Sequence, residues 1–146
     1  METTAKINGL GMRISTKYCV EICDYLRNKS VKQAKYILEN VLNKKMAIPF
    51  KRYNRDVGHK PGIASGSYPV NATIAVLKLI KGVEANAENR GLNKNDLYIS
   101  KIIANKGSGQ WHAGRKRRRK MKNTNIMIEV AEKPKEIKKV EKVEKK

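Results

Sequence analysis

Between Asp96 and Glu129 the chain contains no acidic residue, while eight lysines and arginines fall from Lys106 to Lys122. Few other features restrict the fold as strongly. The charge sits between two apolar, β-rich runs, Leu97-Tyr-Ile-Ser-Lys-Ile-Ile-Ala104 and Thr124-Asn-Ile-Met-Ile-Glu-Val130. Leu97, Ile99 and Ile103 in the first run, and Ile126, Ile128 and Val130 in the second, recur at the period of a half-buried strand. Two such runs joined by a glycine-containing segment predict an antiparallel hairpin. If extended, Ile103 to Gly114 spans roughly 35 Å at about 3.3 Å per residue. A two-stranded ribbon of that reach is marginal in water by itself. So cationic an arm needs a polyanionic partner.

The whole chain carries the same bias. Its 146 residues include 33 Lys and Arg against 13 Asp and Glu, a formal charge of +20. A compact domain so charged repels itself until counter-charge arrives, and nucleic acid is the usual source. A membrane surface is the rival. No stretch approaches the ~20 apolar residues of a spanning helix, so no membrane insertion is expected. The opening Met1-Glu-Thr-Thr-Ala-Lys6 lacks a charged-then-apolar export signal. Cys19 and Cys23 lie four apart on one helical face and read as reduced core thiols, since a zinc site needs more ligands than His59 and His112 supply.

Three helices are predicted. Ser15 suits the N-cap of the first, where Tyr18, Ile22, Cys23 and Leu26 share a face and Asn28 can end the helix in a left-handed conformation. Ser30 and Gln33 make a capping box for the second, which turns Ala34, Ile37, Leu38, Val41 and Leu42 inward. The short turn between them predicts a helical hairpin. Pro69 opens the third at its first helical position, and Gly91 ends it. Ile74, Leu77, Ile80 and Val83 or Glu84 follow its period, with Val76 and Leu79 widening the face. Glu84 and Glu88, one turn apart, read as a solvated face near Lys81 and Arg90 rather than a catalytic carboxylate pair.

Elsewhere the pattern breaks. Residues 2–14 read as irregular, with Ile7, Leu10, Met12 and Ile14 able to supply a short edge strand. Residues 43–68 contain Pro49, Gly58, Pro61, Gly62 and Gly66, and read as a long loop without helix or strand. Long loops of this kind are usually functional. Here Lys51, Arg52, Arg55, His59 and Lys60, interleaved with Phe50 and Tyr53, suit phosphate contact with base stacking. A solvated surface loop is the plainer alternative. Residues 133–146 are nearly all Lys and Glu, and a disordered tail is expected.

No phosphate loop, nucleophile elbow or metalloprotease motif is present, and Gly107-Ser-Gly109 is too short and wrongly placed for a phosphate loop. No cofactor and no enzymatic activity are expected. In the arm, Arg115, Lys116, Arg117, Arg118, Arg119 and Lys120, flanked by Lys106 and Lys122, offer forked and point-charge donors to phosphate. Trp111 adds a base-sized platform beside His112. A localisation signal or a solvated patch is the alternative for such a basic run, but localisation signals normally lie in flexible tails. Charge spread over loop, arm and tail points to folded RNA rather than a DNA groove.

Several segments, in order, resemble one family. They are Met12-Arg-Ile-Ser-Thr-Lys17, Ile48-Pro-Phe-Lys-Arg-Tyr-Asn54, Gly58-His-Lys-Pro-Gly62, Tyr68-Pro-Val70, Asn86-Ala-Glu-Asn-Arg-Gly-Leu92 and Asn125-Ile-Met-Ile-Glu-Val130. From about Met12 to Val130 the chain resembles the universal large-subunit ribosomal protein L-twenty-two family (L-seventeen in eukaryotic numbering) in its archaeal form. Residues 48–62 resemble an insertion that archaeal and eukaryotic members carry. The arm departs from the family: many members have Pro-Arg-Ala-x-Gly-Arg there, and this chain has only His112-Ala-Gly-Arg115.

The resemblance implies an α+β fold, with three helices packed on a small three-stranded antiparallel sheet and a long protruding β-hairpin. Residues 1–132 would form one domain, with the hairpin arm at about 97–130. The family binds large-subunit rRNA, sits among neighbouring ribosomal proteins and places its arm tip near the nascent peptide in the exit tunnel. A cytoplasmic, ribosome-bound protein without catalysis is therefore expected. The rival classes are a free DNA-binding factor and an RNA-processing enzyme.

Overall fold

The computed structural model describes residues 4–132, so the Lys/Glu tail lies outside the described residues. The elements run β1 (Thr4–Met12), α1 (Thr16–Leu26), α2 (Val31–Leu42), β2 (Ile48–Pro49), β3 (His59–Lys60), β4 (Ile63–Ser67), α3 (Val70–Asn89), β5 (Leu97–Lys106) and β6 (Thr124–Glu132). The architecture is α+β, with three helices and two three-stranded antiparallel sheets ordered β1-β6-β5 and β2-β4-β3. No helix of the described residues is long and apolar enough to cross a membrane.

In the larger sheet β6 is central. Ile126, Ile128 and Val130 alternate into the core as their spacing predicts. In β5 the alternation changes phase. Register shifts between Ile99 and Lys101, where Ser100 donates its hydroxyl to the Glu129 carbonyl at 3.1 Å. This bulge adds one residue to β5, so Ile102 joins Leu97 and Ile99 in the core while Ile103 is only half-buried. Strict period two placed Ile103 there instead.

The N-terminal region is not irregular. The nine residues of β1 form an edge strand, seven of them opposite partners in β6 from Thr4–Ala131 to Met12–Thr124, with a register shift between Gly9 and Met12. Leu10 is exposed, so the alternation of Ile7, Leu10, Met12 and Ile14 did not report this strand's buried face. Gly9 and Gly82 let β1 approach α3 closely. A Cβ on Gly9 would lie 2.8 Å from a Leu79 methyl, and one on Gly82 would lie 2.7 Å from the Ile7 Cδ1. The outer edge of β1 is partly covered by α3, whose Arg90 and Asn86 side chains donate to the Thr4 and Lys6 carbonyls at 2.6 and 3.2 Å.

The helices form where expected, save that Pro69 is the N-cap of α3 and Val70 its first helical residue, but they partner differently. Asn28 is left-handed (φ 62°), and both bonds of the Ser30–Gln33 capping box are present. The α1–α2 turn, however, pairs with the edge of β5: the Asn28 amide donates to the Ile99 carbonyl, and the Ile99 amide to the Lys29 carbonyl. In consequence α1 packs on β5 and α2 packs on α3, rather than the two closing on each other as a helical hairpin.

Helix α3 buries Ala72, Thr73, Val76, Leu79, Ile80, Val83, Glu84 and Ala87, while Ile74 is exposed. Its inner face is therefore set by Val76, Ile80 and Val83, not by a line through Ile74. Gly91 closes it with φ 77°. Glu84 is not solvated. It is 7% exposed, ion-paired with Lys35 of α2 and 3.7 Å from the Lys94 ammonium. The two glutamates, one turn apart, thus serve different ends, since Glu88 is exposed and pairs with Lys94 at 2.7 Å.

Candidate nucleic-acid interface

Residues 43–68 are not a structureless loop. Ile48 and Pro49 pair with Ser67 and Gly66, and His59 and Lys60 pair with β4 around a bulge. Short strands escape sequence reading because two-residue pairings carry no periodicity. Ile48 and Phe50 anchor the sheet in the core, where Phe50 meets the Tyr18 ring edge-on at 5.4 Å between centroids.

The basic segment after Phe50 is held by a single buried acid. Glu21 of α1 is 2% exposed, and its carboxylate accepts the backbone N–H groups of Lys51, Arg52 and Tyr53 at 3.0, 3.0 and 2.6 Å. Three converging amides compensate a buried carboxylate and fix the local backbone. The side chains of Lys51, Arg52, Arg55 and His59 are left exposed, and that of Lys60 half-buried. Lys60 lies over the Tyr68 ring at 5.7 Å, and Arg52 over the Tyr53 ring at 5.2 Å.

Strands β5 and β6 pair antiparallel to their ends at Lys106 and Thr124. Beyond that point regular pairing stops, but cross-strand bonds continue. The Gly107 amide donates to the Asn123 carbonyl at 3.0 Å, Met121 to Gln110 at 2.8 Å and His112 to Arg119 at 2.9 Å, and Trp111 bridges Lys120. The turn itself is a short 3-10 segment at Gly114–Lys116, with Gly114 at φ 63° and Arg118 at φ 71°.

Residues 113–120 are all exposed, as are Lys106, Trp111 and Lys122, while His112 is half-buried. Lys120 covers one face of Trp111 at 4.5 Å. Among the described residues, none of Arg115–Lys122 forms an ion pair with a carboxylate.

The base of the arm is locked to α1. Buried Thr124 donates its hydroxyl to the Ile14 carbonyl at 2.9 Å. Its single proton is then engaged, so the Thr16 hydroxyl at 2.8 Å acts as donor to Thr124 Oγ1. This contact brings the start of α1, the basic loop and the arm base together around a cleft of about 670 Å³. Lys106, Lys120 and Lys122 line it, with Lys17 and Tyr53 opposite. His59 and Lys60 do not line it. Arg13 shares a smaller depression with His112 and Lys122. Arg13 and Lys17 carried no assigned role in the sequence, where their only signal was membership of the family-resembling segment Met12–Lys17.

Comparison with known proteins accords with this geometry. Residues 8–131 match the family described as ribosomal protein L22p/L17e. The large ribosomal subunit protein uL22 of Methanosphaera stadtmanae is 45% identical over 109 residues, covering 73% of this chain and 71% of that protein. Its counterpart in Nanoarchaeum equitans is 41% identical over 140 residues, covering 90% and 80%. That of Methanocella arvoryzae is 43% identical over 108 residues, covering 72% and 71%. An α+β chain with a cationic arm, matched over most of its length by such relatives, belongs to the ribosomal protein L22p/L17e family.

Proposed function

We propose that the chain is a structural, non-catalytic component of the large ribosomal subunit in the cytoplasm. It binds large-subunit rRNA, contacts neighbouring ribosomal proteins and carries its arm to the wall of the nascent-peptide exit tunnel. The observation that carries this reading is the arm. Its cations from Arg115 to Lys122 have no carboxylate partner among the described residues. An arm of this charge is stabilised when phosphates supply the missing counter-charge and condensed cations are released from the RNA. The interface comprises Lys51, Arg52, Arg55, His59 and Lys60 in the loop sheet. In the arm it comprises Lys106, Trp111, His112, Arg115, Lys116, Arg117, Arg118, Arg119, Lys120 and Lys122. Arg residues there pair with phosphate and stack on bases, which favours folded RNA over a duplex groove.

Sucrose-gradient fractionation of native extract at rising salt tests the assignment. The chain is expected to travel with large subunits through moderate salt. Sedimentation with free proteins or with DNA would overturn the ribosomal reading.

A further inference from the structure

We propose that the cleft at the base of the arm receives one nucleotide turned out of an RNA strand, with its base stacked on the Tyr53 ring and its phosphates held by lysines. This rests on the RNA-binding reading above and assigns a specific site within it. Three segments distant in sequence supply the parts: Lys17 from the start of α1, Tyr53 from the basic loop, and Lys106, Lys120 and Lys122 from the two sides of the arm.

Size and chemistry both narrow the occupant. The cleft, of about 670 Å³, falls within the ~300–1,000 Å³ usual for small-ligand sites and is far too large for a lone ion. None of its lining residues is acidic, and four are lysines. One aromatic ring among four ammonium groups matches the two parts of a nucleotide in a strand, a flat π-surface and the anionic phosphodiesters that flank it. An acidic peptide would satisfy the lysines and leave the ring without a stacking partner.

The platform is already in place. Glu21 holds the Tyr53 backbone N–H at 2.6 Å, so little ordering is needed when a base arrives. Lys17 and Arg52 lie over the Tyr53 ring, 6.0 and 5.2 Å from its centroid, so a base that stacks there takes the place of one of these flexible side chains and frees its charge for a flanking phosphate. The opposite wall depends on glycine. A Cβ on Gly109 would fall 2.9 Å from the Met121 carbonyl oxygen, so a side chain there parts the arm backbone, and one on Gly107 would fall 2.5 Å from Asn123 Oδ1, displacing the side chain that donates to the Ser108 carbonyl. A ring recessed in a cleft cannot reach a base within a paired helix, whose deep groove denies access to side chains. The base must therefore be unstacked from its neighbours.

The test uses the full chain and a five-nucleotide oligoribonucleotide carrying 2-aminopurine at its centre, flanked by uridines. Binding is expected to quench the probe's fluorescence as it stacks. Tyr53→Ala should weaken binding about tenfold and abolish the quench, whereas Tyr53→Phe should preserve both. The same oligonucleotide with an abasic centre should bind the wild-type chain as weakly as the parent binds Tyr53→Ala. Far-UV circular dichroism of Tyr53→Ala should match wild type.

Equal binding of abasic and parent strands would overturn the proposal, as would quenching that survives Tyr53→Ala. So would competition by hexaglutamate as strong as that by the unlabelled strand. The two readings fail separately. Co-sedimentation with large subunits together with Tyr53-independent binding would sink the cleft alone. Tyr53-dependent stacking by a chain that stays off subunits would sink the ribosomal assignment and leave the nucleotide site standing.

Discussion

The Glu21 carboxylate accepts the backbone N–H of Tyr53 at 2.6 Å, and through it α1 sets the position of the basic loop. The same carboxylate also satisfies the amides of Lys51 and Arg52. Removing it leaves three donors without their acceptor in a site that is 2% exposed. Each unsatisfied buried group costs roughly 1–3 kcal/mol, reduced where water can enter. Glu21→Ala is therefore expected to lower stability by about 2–4 kcal/mol. Glu21→Gln, which keeps one acceptor oxygen and the side-chain volume, should cost about half as much. Urea denaturation measures both. Equal losses in the two variants would mean that shape, not the carboxylate's hydrogen bonds, holds the loop.

Charge reversal in the arm should separate folding from assembly. Arg117 and Arg118 are exposed and make no ion pair among the described residues, so Arg117→Glu with Arg118→Glu removes no packing. Stability should change by no more than about 0.5 kcal/mol. Incorporation into large subunits, read by gradient fractionation in cells expressing the variant, should fall sharply. Normal incorporation would argue against the arm as an rRNA contact.

The two cysteines predict a pH response. Burial pushes both thiols up to about 12 from an ordinary value of 9.0, with Cys23 raised further by neighbouring Cys19 and Asp24. Between those values the unfolded chain has released thiol protons that the folded chain retains. Stability should therefore fall as pH rises above 9 toward 12, with no contribution from these groups below 9. Replacing both by Ala should flatten that part of the curve, apart from the titration of other groups. In the native state neither thiol should react with a disulfide reagent at pH 8, and both should react in urea.

The Lys35–Glu84 pair joins α2 to α3 in a largely dry position. Lys35→Met leaves the Glu84 carboxylate with only the distant Lys94 at 3.7 Å, and a loss of about 1–3 kcal/mol is expected. Changing Glu84 to Met as well should restore most of it, because two apolar side chains of similar volume carry no desolvation cost. A double-mutant cycle in urea measures the coupling, and strictly additive losses would show that the pair contributes nothing specific.

What could be read in advance followed from local rules. The helix limits near Ser30 and Gly91 depend on residues within a turn of each end, where the capping box and the left-handed glycine are written in the sequence, whereas Ser15 stands at the α1 N-cap without a side-chain cap bond. The inward alternation of Ile126, Ile128 and Val130 was likewise legible. So was the exposed cationic run, because eight like charges have no way to be buried together. Glu21 was not legible. An acid on a helix reads as a solvated residue, and only the later loop folding over α1 turns it into an anchor.

Three helices, an antiparallel β5–β6 pair and a net charge of +20 that calls for a polyanion follow from the order of residues alone. Each of these depends on side-chain periodicity or on a sum over residues, and neither needs a partner far along the chain. Tertiary structure decided the rest: the pairing of β1 with β6, the second small sheet, the bulge that exchanges Ile103 for Ile102, and the cleft that brings Lys17, Tyr53 and Lys122 together. These rest on hydrogen bonds and packing between segments as far apart as Thr4 and Ala131, or Thr16 and Thr124. Such contacts are chosen by the free energy of the whole core, and no window along the sequence contains both partners.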